Sequence, residues 1–148
     1  MTDVHKTIAL AADHAGFELK SRVAEFLKSG GYEVLDMGTH SLDRVDYPDY
    51  GYALADTVAQ GKAGVGIAIC GSGIGISMAA NRNPKARCAL CHDVTSAKLS
   101  RQHNDANILA LGARLIGIET ALACVEAFLN TPYEGGRHAE RVKKLGKC

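Results

Sequence analysis

Cys70 ends an apolar run, Val65-Gly66-Ile67-Ala68-Ile69-Cys70, and is followed at once by Gly71-Ser72-Gly73-Ile74-Gly75-Ile76-Ser77. Three glycines in the five residues 71–75 let a backbone turn tightly and point its N–H groups inward, and the start of a helix adds partial positive charge. An oxyanion or phosphate is stabilised in such a place. The same field favours thiolate over thiol, which makes Cys70 a candidate base or nucleophile. Burial explains the residue equally well, because free cysteine is among the most buried residue types and glycines also serve tight helix–strand packing.

Other loops that bind phosphate or present a nucleophile fit poorly. A cysteine phosphatase loop needs Arg where Ile76 stands, a P-loop needs Lys-Ser/Thr after its last glycine, and Ser72 lacks the flanking glycines of a nucleophile elbow. A dinucleotide fingerprint comes closer, with Gly71-x-Gly73 after a strand and Asp93 about twenty residues on, but Gly75 arrives one residue too early for the third glycine. A nucleotide-binding module therefore stays open as an alternative to catalysis. Cys88-Ala89-Leu90-Cys91-His92 matches a haem-attachment pattern literally. It lies in an apolar strand, however, where alternation sends its two cysteines to opposite faces, and buried strand thiols are the better reading.

Asp13-His14 follows the first strand, and His103-Asn104-Asp105 follows a helix. Near the C-terminus, Gly135-Gly136-Arg137-His138-Ala139-Glu140-Arg141 sets Arg137 and Arg141 four residues apart on one face of a short helix, with His138 beside them. Cations at a helix start suggest a bound anion, although a solvated basic patch is the commoner fate of such charges. With Cys70 these groups supply a base, an acid and an anion clamp without metal-ligand spacing, the inventory for proton transfer next to a carbonyl.

The elements that must position them alternate. Thr7–Ala12, Tyr32–Met37, Val65–Cys70, Arg87–Cys91 and Asn107–Leu111 read as apolar strands; helices are expected from Phe17 to Gly30, from Pro48 to about Gln60, through Asn81, over Thr95–His103 and Gly117–Leu129, with a short one after Gly136. This pattern predicts an α/β three-layer sandwich, a five-stranded parallel Rossmann-like sheet with helices on both faces and its strands completely buried. Ligands of such sheets bind beyond the carboxyl ends of the strands, at Asp13-His14, at Cys70–Gly75 and at His92-Asp93.

A length of 148 residues predicts one domain, residues 1–148, and 17 Lys+Arg against 16 Asp+Glu give no global pull toward nucleic acid or an anionic membrane. The N-terminus has no apolar leader, and the five cysteines are odd in number and mostly in apolar surroundings, so the expected compartment is the reducing cytoplasm.

Beyond these physical readings, the chain resembles the ribose-5-phosphate isomerase B family, which also includes galactose-6-phosphate isomerase subunits. The resemblance runs through Asp13-His14-Ala15-Gly16, Asp46-Tyr47-Pro48, Ile69 to Ser77, Leu99-Ser100-Arg101-Gln102-His103-Asn104-Asp105 and Tyr133-Glu134-Gly135-Gly136-Arg137-His138. It implies aldose–ketose isomerisation of a sugar phosphate through an enediolate, without metal or organic cofactor. Cys70 would be the base, the Gly71, Gly73, Ile74 and Gly75 amides with the Ser72 hydroxyl the oxyanion donors, and His103 the ring-opening residue. Asp13, His14, Tyr47 and Asn104 match sugar-binding positions; Arg114, Arg137, His138 and Arg141 match positions that contact the phosphate or the chain beyond it. Ser72 stands where Thr is frequent and keeps the hydroxyl, and Cys70 implies the cysteine subtype over one using a carboxylate. The resemblance also implies a homodimer or homotetramer with sites at a subunit interface, and leaves a six-carbon sugar phosphate open as substrate.

Overall fold

The computed structural model describes residues 6–147; the start of the chain read above for a leader, and Cys148, lie outside them. Five parallel strands, β1 (Thr7–Ala12), β2 (Glu33–Asp36), β3 (Val65–Cys70), β4 (Cys88–Leu90) and β5 (Ile108–Gly112), form one sheet in the order β2-β1-β3-β5-β4. The register pairs Ile8 with Val65 and Gly66 with Ile108, and sets Cys70 opposite Gly112. Six α-helices follow the sequence pattern: α1 (Phe17–Ser29), α2 (Tyr47–Ala59), α3 (Ile74–Ala80), α4 (Val94–Asn104), α5 (Ile118–Asn130) and α6 (Ala139–Leu145).

Alternation along the central strands divides the core in two. Ile8, Leu10, Ile67, Ile69, Leu109 and Leu111 face α1, α4 and α5 through Val23, Leu27, Ala97, Val125 and Phe128. Ala9, Ala11, Ala68, Cys70, Ile108 and Ala110 face α2 and α3 through Leu54, Val58, Ile76 and Ala80. Helices therefore cover both faces, as expected, and each fully buried Ile or Leu contributes about 1.5–3 kcal/mol by leaving water. Small residues on the second face let α2 and α3 sit close to the sheet, beside the end of β3.

Complete burial of every strand was expected, and it holds only at the centre. β1, β3 and β5 are buried almost throughout, whereas β2 is mostly exposed and β4 only half-buried. Both are edge strands, each with a single neighbour and incomplete helix cover, and both are shorter than their apolar runs suggested. The exposed edge is tied down by an ion pair that the apolar pattern does not reveal: Lys20 on α1 is 2 % exposed, and its Nζ lies 2.6 Å from each carboxylate oxygen of Asp36 at the end of β2.

Candidate active site

The chain leaves β1 through α1 on one face of the sheet and leaves β3 through α3 on the other, so the crevice between the carboxyl ends of β1 and β3 is a topological switch point. Asp13 and Cys70 stand on its two sides. Asp13 is buried; its N–H donates to Ile69 O at 3.2 Å, and its Oδ1 caps the following turn by accepting from Gly16 N at 3.1 Å. Asp13 is thus fixed by both neighbouring segments before any ligand arrives.

Cys70 is 4 % exposed, and its Sγ accepts from Gly73 N–H at 3.1 Å. That donor is aimed because Gly73 has φ of 77° and sits against Leu90, Leu111 and Gly112, a space with no room for a side chain. The turn thus directs its first donor at the Cys70 sulfur. Ile74 N–H donates to Ser72 Oγ at 3.1 Å, which leaves the hydroxyl proton of Ser72 free to donate elsewhere. Two of the donors expected to serve an incoming oxyanion are therefore already used within the turn. The Gly71, Ser72 and Gly75 amides and the Ser72 hydroxyl are the donors that remain for it.

Side chains from other elements roof this turn. The Tyr47 ring, from the first turn of α2, lies over Gly75, where an added Cβ would come within 2.6 Å of Cζ. The Arg114 guanidinium, just past β5, lies over Gly71, with Arg114 N–H donating to Gly71 O at 2.9 Å. Asp13, Tyr47, Cys70, Gly71, Ser72, Ile74, Gly75, Met78, Arg114 and Leu115 together line an open cleft of about 540 Å3. His14 stands beside it, its Nδ1 accepting from Val45 N at 3.2 Å, which leaves Nε2 to carry the proton of the neutral ring. Met78 and Leu115 were not singled out from the sequence; Met78 sits one helical turn after Ile74, and this spacing was the available signal.

The remaining expected residues form a second group elsewhere. His103 and Asn104 are the last residues of α4 itself, not of the segment after it. Because α4 returns from the carboxyl end of β4 to the amino end of β5, its 11 residues carry them about 16 Å toward the amino ends of the strands, away from Cys70. The αL cap Asp105 anchors that end, its carboxylate 3.0 Å from Arg101 Nη1 and 3.5 Å from Arg87 Nη2. Asn104 lines a different cavity, with Asn81, Arg87 and Cys88.

The segment after α5 docks here, Glu134 N–H donating to Gln102 O at 3.1 Å. It brings the His138 imidazole into a stack on His103, ring centroids 4.4 Å apart and 16° from parallel. His138 is buried, and its Nε2 has no hydrogen-bond partner among the described residues. Burial holds His138 below the usual histidine range, aided by Arg137, His103 and Arg141 and opposed by Glu134. Arg137 and Arg141 are exposed, and neither has an ion-pair partner among the described residues. His103, Glu134 and His138 offer nitrogen and oxygen atoms within 4.8 Å of one another, but two imidazoles stacked face to face aim their nitrogens along parallel planes and not at one shared ion.

Among the described residues one chain therefore carries two half-sites. The thiol half holds Asp13, His14, Tyr47, Cys70, Gly71, Ser72, Gly73, Ile74, Gly75 and Arg114; the imidazole–guanidinium half holds His103, Asn104, Arg137, His138 and Arg141. Sequence reasoning assembled them as one inventory, and the direction of α4 separates them. Cys88 and Cys91, the cysteines of the haem-like pattern, have side chains in different halves of the core, and Cys70, Cys88, Cys91 and Cys124 are all free.

Similarity to known proteins covers both half-sites. The family model described as Ribose/Galactose Isomerase matches residues 8–145. Ribose-5-phosphate isomerase B of Escherichia coli is 49 % identical over 140 residues, spanning 95 % of this chain and 94 % of that protein. The enzyme of the same name from Mycobacterium tuberculosis is 42 % identical over 142 residues, spanning 95 % and 88 %. Among solved structures, Clostridium thermocellum ribose-5-phosphate isomerase B superposes with a TM-score of 0.94 at 51 % identity, covering 95 % of each chain. That of Mycoplasma genitalium, with bound ribulose-5-phosphate, gives 0.91 at 38 % identity, covering 94 % and 93 %.

Proposed function

Since this chain belongs to the ribose/galactose isomerase family, we propose that it interconverts ribose 5-phosphate and ribulose 5-phosphate, with Cys70 as the base. One observation carries the assignment of the base: a thiol at the topological switch point lines an open cleft and already accepts an N–H hydrogen bond.

The open-chain aldose lies with C2 against Sγ. Thiolate takes the C2 proton, and the C2–H electrons form the enediolate double bond as the aldehyde oxygen O1 becomes an oxyanion. The free amides of the turn and the Ser72 hydroxyl hold that oxygen, and stabilisation of developing charge by fixed donors is the largest expected term in the rate. A proton passes from O2 to O1, Cys70 returns its own proton to C1, and the ketone forms at C2. Atoms and charge balance without a redox partner. Asp13, His14 and Tyr47 bind the hydroxyl groups and Arg114 lies at the cleft mouth.

The furanose must first open, and His103 takes the anomeric proton in this reading. His103, Asn104, Arg137, His138 and Arg141 then come from a second copy, in a homodimer or homotetramer whose sites lie at the interface. Two features support this. The half-sites lie at opposite ends of the strands, and the cleft is rimmed by exposed apolar side chains, with Ile74 44 %, Met78 60 % and Leu115 58 % accessible. No helix among the described residues is long and apolar enough to cross a membrane, and the free thiols suit the cytoplasm we assign.

The test is ketose formation from ribose 5-phosphate by the purified protein in EDTA, beside Cys70→Ala. Loss of a positioned base lowers kcat by about 10²–10⁴. Wild-type protein that leaves the aldose unchanged, or a Cys70→Ala variant with full kcat, overturns the assignment.

A further inference from the structure

Glu134 has no part in the mechanism above, yet its carboxylate is the anion placed against the two imidazoles. Gly135 and Gly136 both have positive φ, 66° and 55°, and reverse the chain so that Glu134 and His138 face each other across the bend. Glu134 Oε2 lies 3.8 Å from His138 Nε2, and its carboxylate, His103 and His138 present atoms within 4.8 Å of one another. The backbone bond from Glu134 N–H to Gln102 O fixes this residue beside the last turn of α4, next to His103.

We propose that Glu134 is a positioning residue for ring opening: its carboxylate stabilises the positive charge that appears on the stacked His103–His138 pair while His103 carries the anomeric proton. The proposal rests on the isomerase reading. In that step the anomeric O1–H gives its proton to His103, O1 forms the carbonyl, the C1–O4 bond breaks, and O4 receives the proton. Between those events one positive charge resides on an imidazole in contact with another.

Four groups face that charge: Arg137 and Arg141 from the last segment, the neighbouring imidazole across the stack, and Glu134. The first three oppose a charge on His138 and, among the described residues, Glu134 favours it. When the substrate phosphate pairs with the arginines, Glu134 is the carboxylate left to the imidazoles. Nε2 of His138 is buried without a hydrogen-bond partner among the described residues, and the Glu134 carboxylate 3.8 Å away is the anion placed to meet its charge when the ring is protonated.

Glu134→Gln and Glu134→Asp test this by two readouts. In NMR titrations of the imidazole Cε1–H signals, Glu134→Gln moves the His138 midpoint to lower pH, and Glu134→Asp restores part of the shift. In kinetics, ribulose 5-phosphate supplies the control: with O5 phosphorylated it cannot close a furanose, so deuterium wash-in at its C1 needs Cys70 but no ring opening. Glu134→Gln lowers kcat/KM for ribose 5-phosphate about tenfold, the effect of one modest charge interaction, while wash-in stays within about twofold. An unmoved His138 midpoint overturns the proposal, as does an equal loss in both reactions, which marks a purely structural role. Wild-type protein without turnover defeats the isomerase reading instead, and the titration still decides the contact between Glu134 and His138.

Discussion

Gly73 and Gly61 have nearly the same backbone, φ of 77° and 74°, in different surroundings, so replacing each by alanine separates backbone strain from packing. A left-handed residue with a Cβ costs about 1–2 kcal/mol, and Gly61, with nothing within 4 Å of an added Cβ, pays only that. At Gly73 the same atom would lie 2.6 Å from Leu90 Cδ1, 2.8 Å from Leu111 C and 3.0 Å from Gly112 N. The leucine methyl can rotate away. The other two contacts are backbone at the end of a central strand, and overpacking against them costs about 1–3 kcal/mol more. The totals are about 1–2 kcal/mol for Gly61→Ala and about 2–5 kcal/mol for Gly73→Ala; in a chain of this size each kcal/mol lowers Tm by about 2–4 °C.

Activity separates the two variants further. Relief of the clash moves the Gly73 N–H away from Cys70 Sγ, a bond of 3.1 Å whose value to a thiolate is about 1.5–3 kcal/mol. Expressed as rate, Gly73→Ala loses about 10- to 100-fold in kcat, and Gly61→Ala stays within about twofold of wild type. Thermal melts and initial-rate assays of the two variants make the comparison. Equal Tm losses would show that β5 yields to the new methyl group, and full kcat in Gly73→Ala would remove the N–H···S bond from the mechanism.

The ion pair beneath the exposed edge gives a second expectation. Lys20→Met leaves Asp36 without its cation, and because that carboxylate is about a third exposed the cost falls below the buried-pair range, at about 1–3 kcal/mol in urea unfolding. An unchanged midpoint refutes it. His138 is held below its ordinary value of 6.5, so the unfolded chain takes up the proton first; stability is full above pH 6.5 and falls as pH drops below it. Unfolding between pH 8 and 5 should show that slope, and His138→Gln should flatten it. Burial pushes the Cys88 thiol up to about 12 and the Cys124 thiol up to about 11, so both resist iodoacetamide at pH 8 by peptide mass mapping. The sign at high pH is opposite to that of His138: thiols of the unfolded chain ionise first, and stability declines as pH rises above 9.0.

Periodicity carried most of the fold, because uninterrupted apolar runs such as Ile67-Ala68-Ile69 fit a strand covered on both faces and α1 shows its apolar stripe plainly. The edges were harder. Tyr32 to Met37 carries Glu33 and Asp36 where the central strands carry no charge, a sign of exposure that Val34 and Leu35 masked, and the strand order shows that β2 has one neighbour. Lys20 was not singled out from the sequence, since a buried lysine is recognisable only once its carboxylate partner is placed in space. The thiol half of the site was legible because ligand positions in a parallel sheet follow strand ends, and strand ends can be read from where apolar runs stop.

The imidazole half obeys a different rule. His103 and Asn104 also end an element, but a crossover helix runs antiparallel to the strands, so its last residues lie at the opposite end of the strands from the residues that follow β1 and β3. A list of residues at element ends mixes these two ends of the sheet unless each is assigned a direction. Once direction is assigned, Cys70 and the His103–His138 group fall at opposite ends of the strands, because α4 alone separates its own ends by about 16 Å. In the homo-oligomer we propose, a second copy turns its His103–His138 end toward the Cys70 cleft and covers the exposed Ile74, Met78 and Leu115 in the same contact. The separation of the two residue groups is a consequence of parallel-sheet topology, and it is the reason the proposed mechanism requires assembly.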